Sequence, residues 1–303
     1  MQIYLPIAEI SVPIESIVIL GAFVGFISGV FGVGGGFLTT PLLIFMGIPA
    51  PIAVGTQSCQ LVASGIGGVM GYWRRGNVDF LIGSVMLVGG IMGAAIGIFF
   101  FRSLQYIGQI DLVISVLYIV LLGSIGLMML FEGFFTIIKP KSVRSEFNRL
   151  KSPPFIARLP YKMRFARSKL YISALVPGAI GFFSGFLVSV MGVGGGFFLV
   201  PAMIYILGMP TLLVAGTSLY QIIFTSAFSV MMHAIVSQTV DFILAFYLIA
   251  GGVIGVKFGV MFSRRITGAR ARVILALMVL AVCLQLGIQL FLQPSNLFEV
   301  VVE

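Results

Sequence analysis

The residues of this 303-residue chain best placed to do chemistry are uncharged, and they occur twice. Gly34, Gly35 and Gly36 lie in a G-V-G-G-G-F run that is followed by Pro41. Gly194, Gly195 and Gly196 lie in a second such run, followed by Pro201. Each glycine costs a helix about 1 kcal/mol relative to alanine, so the backbone should break at both places. A new helix starting there presents unpaired N–H groups and a partial positive charge, which can hold a small oxyanion without a lysine. The competing reading is close helix packing by small residues. Two breaks at matching places in two halves favour a transporter's binding site.

Downstream of each run sits a polar cluster in an apolar segment: Thr56, Gln57, Ser58 and Gln60, then Thr217, Ser218 and Gln221. Hydroxyls and amides offer neutral donors to an oxyanion, and burying them unpaired is costly. Thr56 and Gln60 share a helix face, and so do Thr217 and Gln221. Interhelical hydrogen bonding, worth about 0.6 kcal/mol in membranes, is the competing role. Tyr220 and Cys59 occupy matching positions within the clusters. The expected substrate-binding set is therefore Gly34, Gly35, Gly36, Thr56, Gln57, Gln60, Gly194, Gly195, Gly196, Thr217, Ser218, Tyr220 and Gln221.

The charged residues read more plainly. Asp79 and Asp241 stand at segment starts as helix N-caps, with proton coupling as the competing role. Lys257 is placed to snorkel toward a membrane face, or to pair with Glu132 or attract the anion. His233, the one histidine, reads as interfacial before it reads as a proton relay. Tyr72 and Trp73, beside Arg74, read as interface anchors. Cys59 and Cys283 form no C-x-x-C pair, so no disulfide framework, metal site or cofactor is expected. The G-x-x-x-x-G-K-[ST], H-E-x-x-H and G-x-S-x-G patterns are missing, which argues against an ATP site and against an enzyme.

The elements that must position these groups are membrane helices. The chain is 59% hydrophobic and 9% charged with mean hydropathy +1.17, against about 25% charged residues in soluble domains. Ten apolar segments follow one another, at about 14–31, 33–47, 52–72, 80–101, 110–137, 171–190, 193–207, 211–236, 241–262 and 271–293. The second and seventh fall short of the ~20 residues a span requires. The expectation is an all-α integral membrane protein with about eight to ten transmembrane segments, the short or broken ones at the two G-V-G-G-G runs. The first thirteen residues do not read as a removable signal peptide.

The halves align residue by residue. Gly34 matches Gly194, Gly55-Thr56 matches Gly216-Thr217, Asp79 matches Asp241, and Gly89-Gly90 matches Gly251-Gly252. The resulting division is an N-terminal repeat 1–138, a basic loop 139–169 and a C-terminal repeat 170–303. The net charge is +9, yet ten of the eighteen basic residues fall in that one loop, which indicates topology and lipid contact rather than nucleic acid. The loop, with Pro153, Pro154 and Pro160, has room for a short surface helix. Placing it in the cytoplasm with Arg74, Arg75, Arg264, Arg265, Arg270 and Arg272 requires five crossings per half and therefore inverted repeats. Re-entrant second and seventh segments would instead make the repeats parallel.

The G-x-G-G-G motif with its proline, the A-V-G-T at Ala53–Thr56 and the duplication resemble the TauE/SafE family of sulfite exporters, also called the toluene sulfonate uptake permease family. The resemblance spans nearly the whole chain. It implies a secondary transporter in the bacterial cytoplasmic membrane that moves a small sulfur-containing anion, such as sulfite or an organosulfonate. Export is the first expectation, with alternating access about the two glycine breaks. Uptake of thiosulfate or a sulfonate, and passive anion conduction, are the alternatives. Coupling to a proton or to membrane potential is expected by elimination.

Overall fold

A computed structural model of the chain describes residues 2–31, 33–138, 160–168, 170–262 and 268–291. Expectations resting on 139–159, Arg264, Arg265, the side chains of Glu132, Arg270 and Arg272, and the C-terminal residues lie outside that set.

The helices follow the hydropathy pattern closely. They are α1 (Ile14–Phe31), α2 (Gly36–Phe45), α3 (Ala50–Trp73), α4 (Phe80–Ile107), α5 (Ile110–Ile138), α6 (Leu175–Met191), α7 (Gly196–Tyr205), α8 (Thr211–Met232), α9 (Phe242–Phe262) and α10 (Gly268–Phe291). A π-helical turn, His233–Ser237, extends α8. Among the described residues, six spans are long and apolar enough to cross a membrane: α1, α4, α5 through Phe131, α8 with its turn, α9 and most of α10. The chain is a multi-pass membrane protein. The apolar helices α2, α6 and α7 are shorter, while α3 carries the polar cluster Thr56–Gln60.

Two antiparallel hairpins accompany these helices. Strands β1 (Gln2–Leu5) and β2 (Ile10–Pro13) lead directly into α1, and β3 (Lys162–Phe165) and β4 (Leu170–Ser173) lead into α6. The second hairpin falls where the sequence suggested a loop with a surface helix, and it straddles the 169–170 boundary. Four-residue strands give too short a period-2 pattern to stand out in an apolar sequence.

Glycines set the helix pairing. The first helix of each half lies along the fourth helix of the other. A Cβ on Gly25 would stand 2.3 Å from the Gly252 carbonyl, and one on Gly255 2.0 Å from that of Ala22. On the α4–α6 side, Gly93 meets the Phe182 carbonyl and Gly185 that of Gly90, each at 1.9 Å from the ideal Cβ position. Both pairs run parallel. Helix backbones approach this closely only where side chains are missing, the usual device in membranes, where apolar lipid supplies no hydrophobic drive for helix association.

Helices α3 and α8 cross antiparallel at the centre. Gly55, near the start of α3, packs on Thr239 beyond the end of α8, while Gly216, near the start of α8, packs on Asn77 beyond the end of α3. The hairpins mark the two ends of this crossing. The Ile7 amide of the first hairpin donates to Asp241 Oδ2 at 3.1 Å, and the Ser168 amide of the second donates to Asp79 Oδ2 at 3.1 Å.

Candidate functional site

The two glycine breaks meet. Gly34 and Gly35 take φ of 86° and 72°, and Gly194 and Gly195 take 75° and 64°, left-handed values that favour glycine. This conformation turns the chain back from α1 into α2 and from α6 into α7. Gly36 then packs on the other break: a Cβ there would lie 2.5 Å from the Gly192 carbonyl oxygen and 2.4 Å from Gln57 Nε2. A Cβ on Gly196 would lie 2.0 Å from the Val33 carbonyl oxygen. Phe37 and Phe197 stack beside the junction, 5.1 Å between centroids and 23° apart in plane. Leu61 and Ile222 flank Gly34, and Leu61 also flanks Gly194. The whole junction is buried.

Part of the donor capacity at these helix starts is consumed locally. Gly36 N donates to the Gly34 carbonyl at 2.9 Å, and Leu38 and Thr39 N to that of Gly35. The second break repeats this with Gly196 N on Gly194, and Phe198 and Leu199 N on Gly195. Among the described residues the first-turn amides of Phe37 and Phe197 have no acceptor. Neither helix has a side-chain cap at its start.

The structure brings Gln57 to the junction and takes several other expected residues elsewhere. Gln57 is fully buried, and neither its Nε2 nor its Oε1 has a partner. Gln60 is engaged in packing: its Nε2 donates to the Gly21 carbonyl at 3.2 Å, and its Oε1 accepts from Thr39 Oγ1 at 3.2 Å. Gln221 donates to Thr225 Oγ1 at 2.8 Å, while its Oε1 is buried without a donor. Thr56 accepts from the Asp241 amide and Thr217 from the Asp79 amide, each at 2.9 Å, so the threonines fasten the starts of α9 and α4. Ser218 Oγ donates back to the Ala215 carbonyl at 3.0 Å. Tyr220 packs edge-on between Phe80 and Phe224, with its hydroxyl 3.4 Å from Ser84.

Two serines that sequence reading passed over join the glycines. Ser28 lies against Gly35, and Ser184 lies against Gly195. Both hydroxyls are buried without partners. They were hidden because they are not equivalent by position: Ser28 matches Val188, and Ser184 matches Val24. All four residues line the left-handed glycines, so each break has one serine and one valine in opposite order.

The aspartates are N-caps. Asp79 Oδ1 accepts from Leu81 and Ile82 amides, and Asp241 Oδ1 from Ile243 and Leu244 amides. His233 is buried rather than interfacial. Its Nε2 sits 3.0 Å from the Ser189 carbonyl, and its ring meets Phe101 edge-on at 4.7 Å. Tyr72, its counterpart in the first half, donates to the Gly29 carbonyl at 3.2 Å, so the two residues do the same tying work. Lys257 is exposed on α9, and Arg75 donates to the Val260 carbonyl at 3.2 Å. Among the described residues, no group of three or more His, Cys, Asp or Glu side chains could hold a metal.

A bundle of apolar helices around a buried junction of two broken helices, lined with unpaired neutral polar groups, is the architecture of a membrane transport protein. The chain belongs to the family described as sulfite exporter TauE/SafE, whose model matches residues 17–286. It is 29% identical over 274 residues to the probable membrane transporter protein YjnA of Bacillus subtilis (strain 168), covering 89% of this chain and 98% of that one. It is 24% identical to the probable membrane transporter protein YunE of the same organism, covering 89% and 96%. A probable membrane transporter protein of Xylella fastidiosa (strain 9a5c) is 26% identical, covering 82% and 85%. No solved structure matches the chain.

Proposed function

We propose that this protein is a secondary transporter that exports a small sulfur-containing anion, sulfite or an organosulfonate, across a bacterial cytoplasmic membrane, and that the anion binds where the two glycine breaks meet. The observation that carries the reading is Gln57. A fully buried amide with both polar atoms unpaired costs several kcal/mol in lipid unless something pairs with it. It stands against Gly36, the first residue of a helix whose start attracts anions. Ser28, Ser184 and the amides of Phe37 and Phe197 add neutral donors around the same junction. The family's description as a sulfite exporter supports the sulfur chemistry and the direction.

The two halves act as inverted repeats in this reading. The hairpins before α1 and α6 sit at opposite ends of the antiparallel α3–α8 crossing, so each half presents its break from its own side. Rocking of one half against the other about the junction would then open the anion to either face. Membrane potential or a proton drives the cycle.

Purified protein in proteoliposomes should move sulfite well above protein-free vesicles. Gly35→Leu and Gly195→Leu should insert normally and move none. Wild-type flux in both variants would remove the junction from the mechanism.

A further inference from the structure

We infer that Thr40 is a further substrate-contact residue, whose hydroxyl joins the Gln57 amide in holding the anion against the second glycine break. This rests on the junction being the anion site. Thr40 is fully buried, and its hydroxyl has no hydrogen-bond partner among the described residues. It lies one helical turn beyond Gly36, on the same face of α2. Both residues meet Gly192, the glycine that ends α6. A Cβ on Gly192, whose φ is 68°, would stand 3.2 Å from Thr40 Oγ1. The Gly192 carbonyl oxygen and Gln57 Nε2 both lie within 2.5 Å of the position that a Cβ on Gly36 would take. The Tyr118 hydroxyl faces Thr40 but gives its hydrogen to the Met191 carbonyl at 2.7 Å, and the two hydroxyls share no hydrogen bond. Tyr118 thus fastens the residue before Gly192 and leaves the Thr40 hydrogen to be given to something else.

The neighbouring threonine gives the contrast. Thr39 Oγ1 donates to Gln60 Oε1 at 3.2 Å and lies 3.5 Å from the Gly35 carbonyl oxygen, so its hydroxyl is used within the first half. Thr40 and Gln57 come from adjacent helices to the same break, and neither is paired. Burying two such groups is costly unless a third group pairs with both. A small oxyanion does so, because it accepts in several directions at once and each side chain has a hydrogen to give. The second half offers no equivalent pair. The matching positions hold Val200, which has no hydroxyl, and Ser218, whose hydroxyl donates to the Ala215 carbonyl at 3.0 Å. On this side of the junction the side-chain grip therefore comes from the first half, and the second half contributes backbone.

The test titrates sulfite against the full-length protein, by flux in proteoliposomes and by thermal stabilisation in detergent. Thr40→Val keeps the shape and removes the hydroxyl. It should raise the half-maximal sulfite concentration roughly tenfold in both assays, the order of one lost hydrogen bond to an anion. Its melting temperature without sulfite should stay equal or rise, because the hydroxyl has no protein partner to lose. Thr40→Ser restores the hydroxyl and should return both concentrations close to wild type. Val200→Thr, the matching change in the second half, should leave them unchanged. Wild-type concentrations in Thr40→Val, impairment of Thr40→Ser equal to that of Thr40→Val, the same rise in Val200→Thr, or a lower melting temperature for sulfite-free Thr40→Val overturns the inference. If Thr40→Val matches the wild type while Gln57→Leu moves no sulfite, the Thr40 assignment alone falls. A wild-type protein that neither moves sulfite nor is stabilised by it overturns the sulfite reading and the inference together.

Discussion

Gln57 and Gln60 lie one helical turn apart and are both buried, yet they serve opposite ends. Gln60 is bonded at both atoms, to Gly21 and Thr39, whereas Gln57 is bonded at neither. Gln57→Leu should therefore leave the melting temperature equal or higher and abolish sulfite flux. Gln60→Leu should lower stability by about 1–3 kcal/mol, because the Gly21 carbonyl loses the Gln60 amide and the Thr39 hydroxyl keeps only its longer contact to the Gly35 carbonyl. Thermal unfolding in detergent beside vesicle flux checks both, and a stability loss for Gln57→Leu would show that its amide is paired after all. The same distinction explains what the residue pattern conveyed. Polar side chains in an apolar segment marked α3 and α8 as the polar helices, but satisfaction is a property of neighbours that are distant in sequence. Thr39 lies 21 residues from Gln60, and Thr239 lies 183 residues from Thr56. No spacing rule separates a glutamine with partners from one without.

At the scale of elements, helix pairing depends on glycines whose missing side chains admit a neighbouring carbonyl. Gly93→Ala should separate α4 from α6 and lower the melting temperature, since its Cβ would lie 1.9 Å from the Phe182 carbonyl oxygen. Gly178→Ala on the same interface should be silent in the same melting experiment, because nothing stands within 4 Å of its Cβ position. The hairpins provide a second element-level test. Asp79 caps α4 and also accepts the Ser168 amide and hydroxyl, while Asp241 caps α9 and accepts only Ile7 from the first hairpin. Asp79→Ala should destabilise more than Asp241→Ala, each by at least the roughly 1 kcal/mol typical of a lost N-cap. Equal losses would mean that the second hairpin contributes nothing through Ser168. The caps were legible because an aspartate before an apolar run has a local meaning. Their second role was not, since the hairpin strands are short and their partner is in the other half.

For the whole molecule, the two ends of the α3–α8 crossing define which loops share a face. Arg74 and Lys162 lie at the end carrying the second hairpin, and Gln105, near the end of α4, lies at the other. In a variant with Cys59 and Cys283 replaced, a cysteine at Arg74 or Lys162 should react with a membrane-impermeant thiol reagent only from the cytoplasmic face, and one at Gln105 only from outside. Labelling of all three from one side would mean that α4 does not separate two faces of the membrane.

Composition and apolar segment length determined by themselves that this chain is a helical membrane protein, and the duplicated glycine runs raised the expectation of two related halves. Those properties are local or periodic: a segment's hydropathy, the freedom of a glycine and the match of one half to the other survive in one dimension. Tertiary structure decided that the two breaks touch, that Gln57 and not Thr56 reaches them, that Ser28 and Ser184 line them, and that Gln221 lacks the donor Gln60 enjoys. These facts depend on which side chain a buried atom faces across helices that are remote in sequence. That choice is made by backbone approach between glycines and by the antiparallel crossing of α3 and α8.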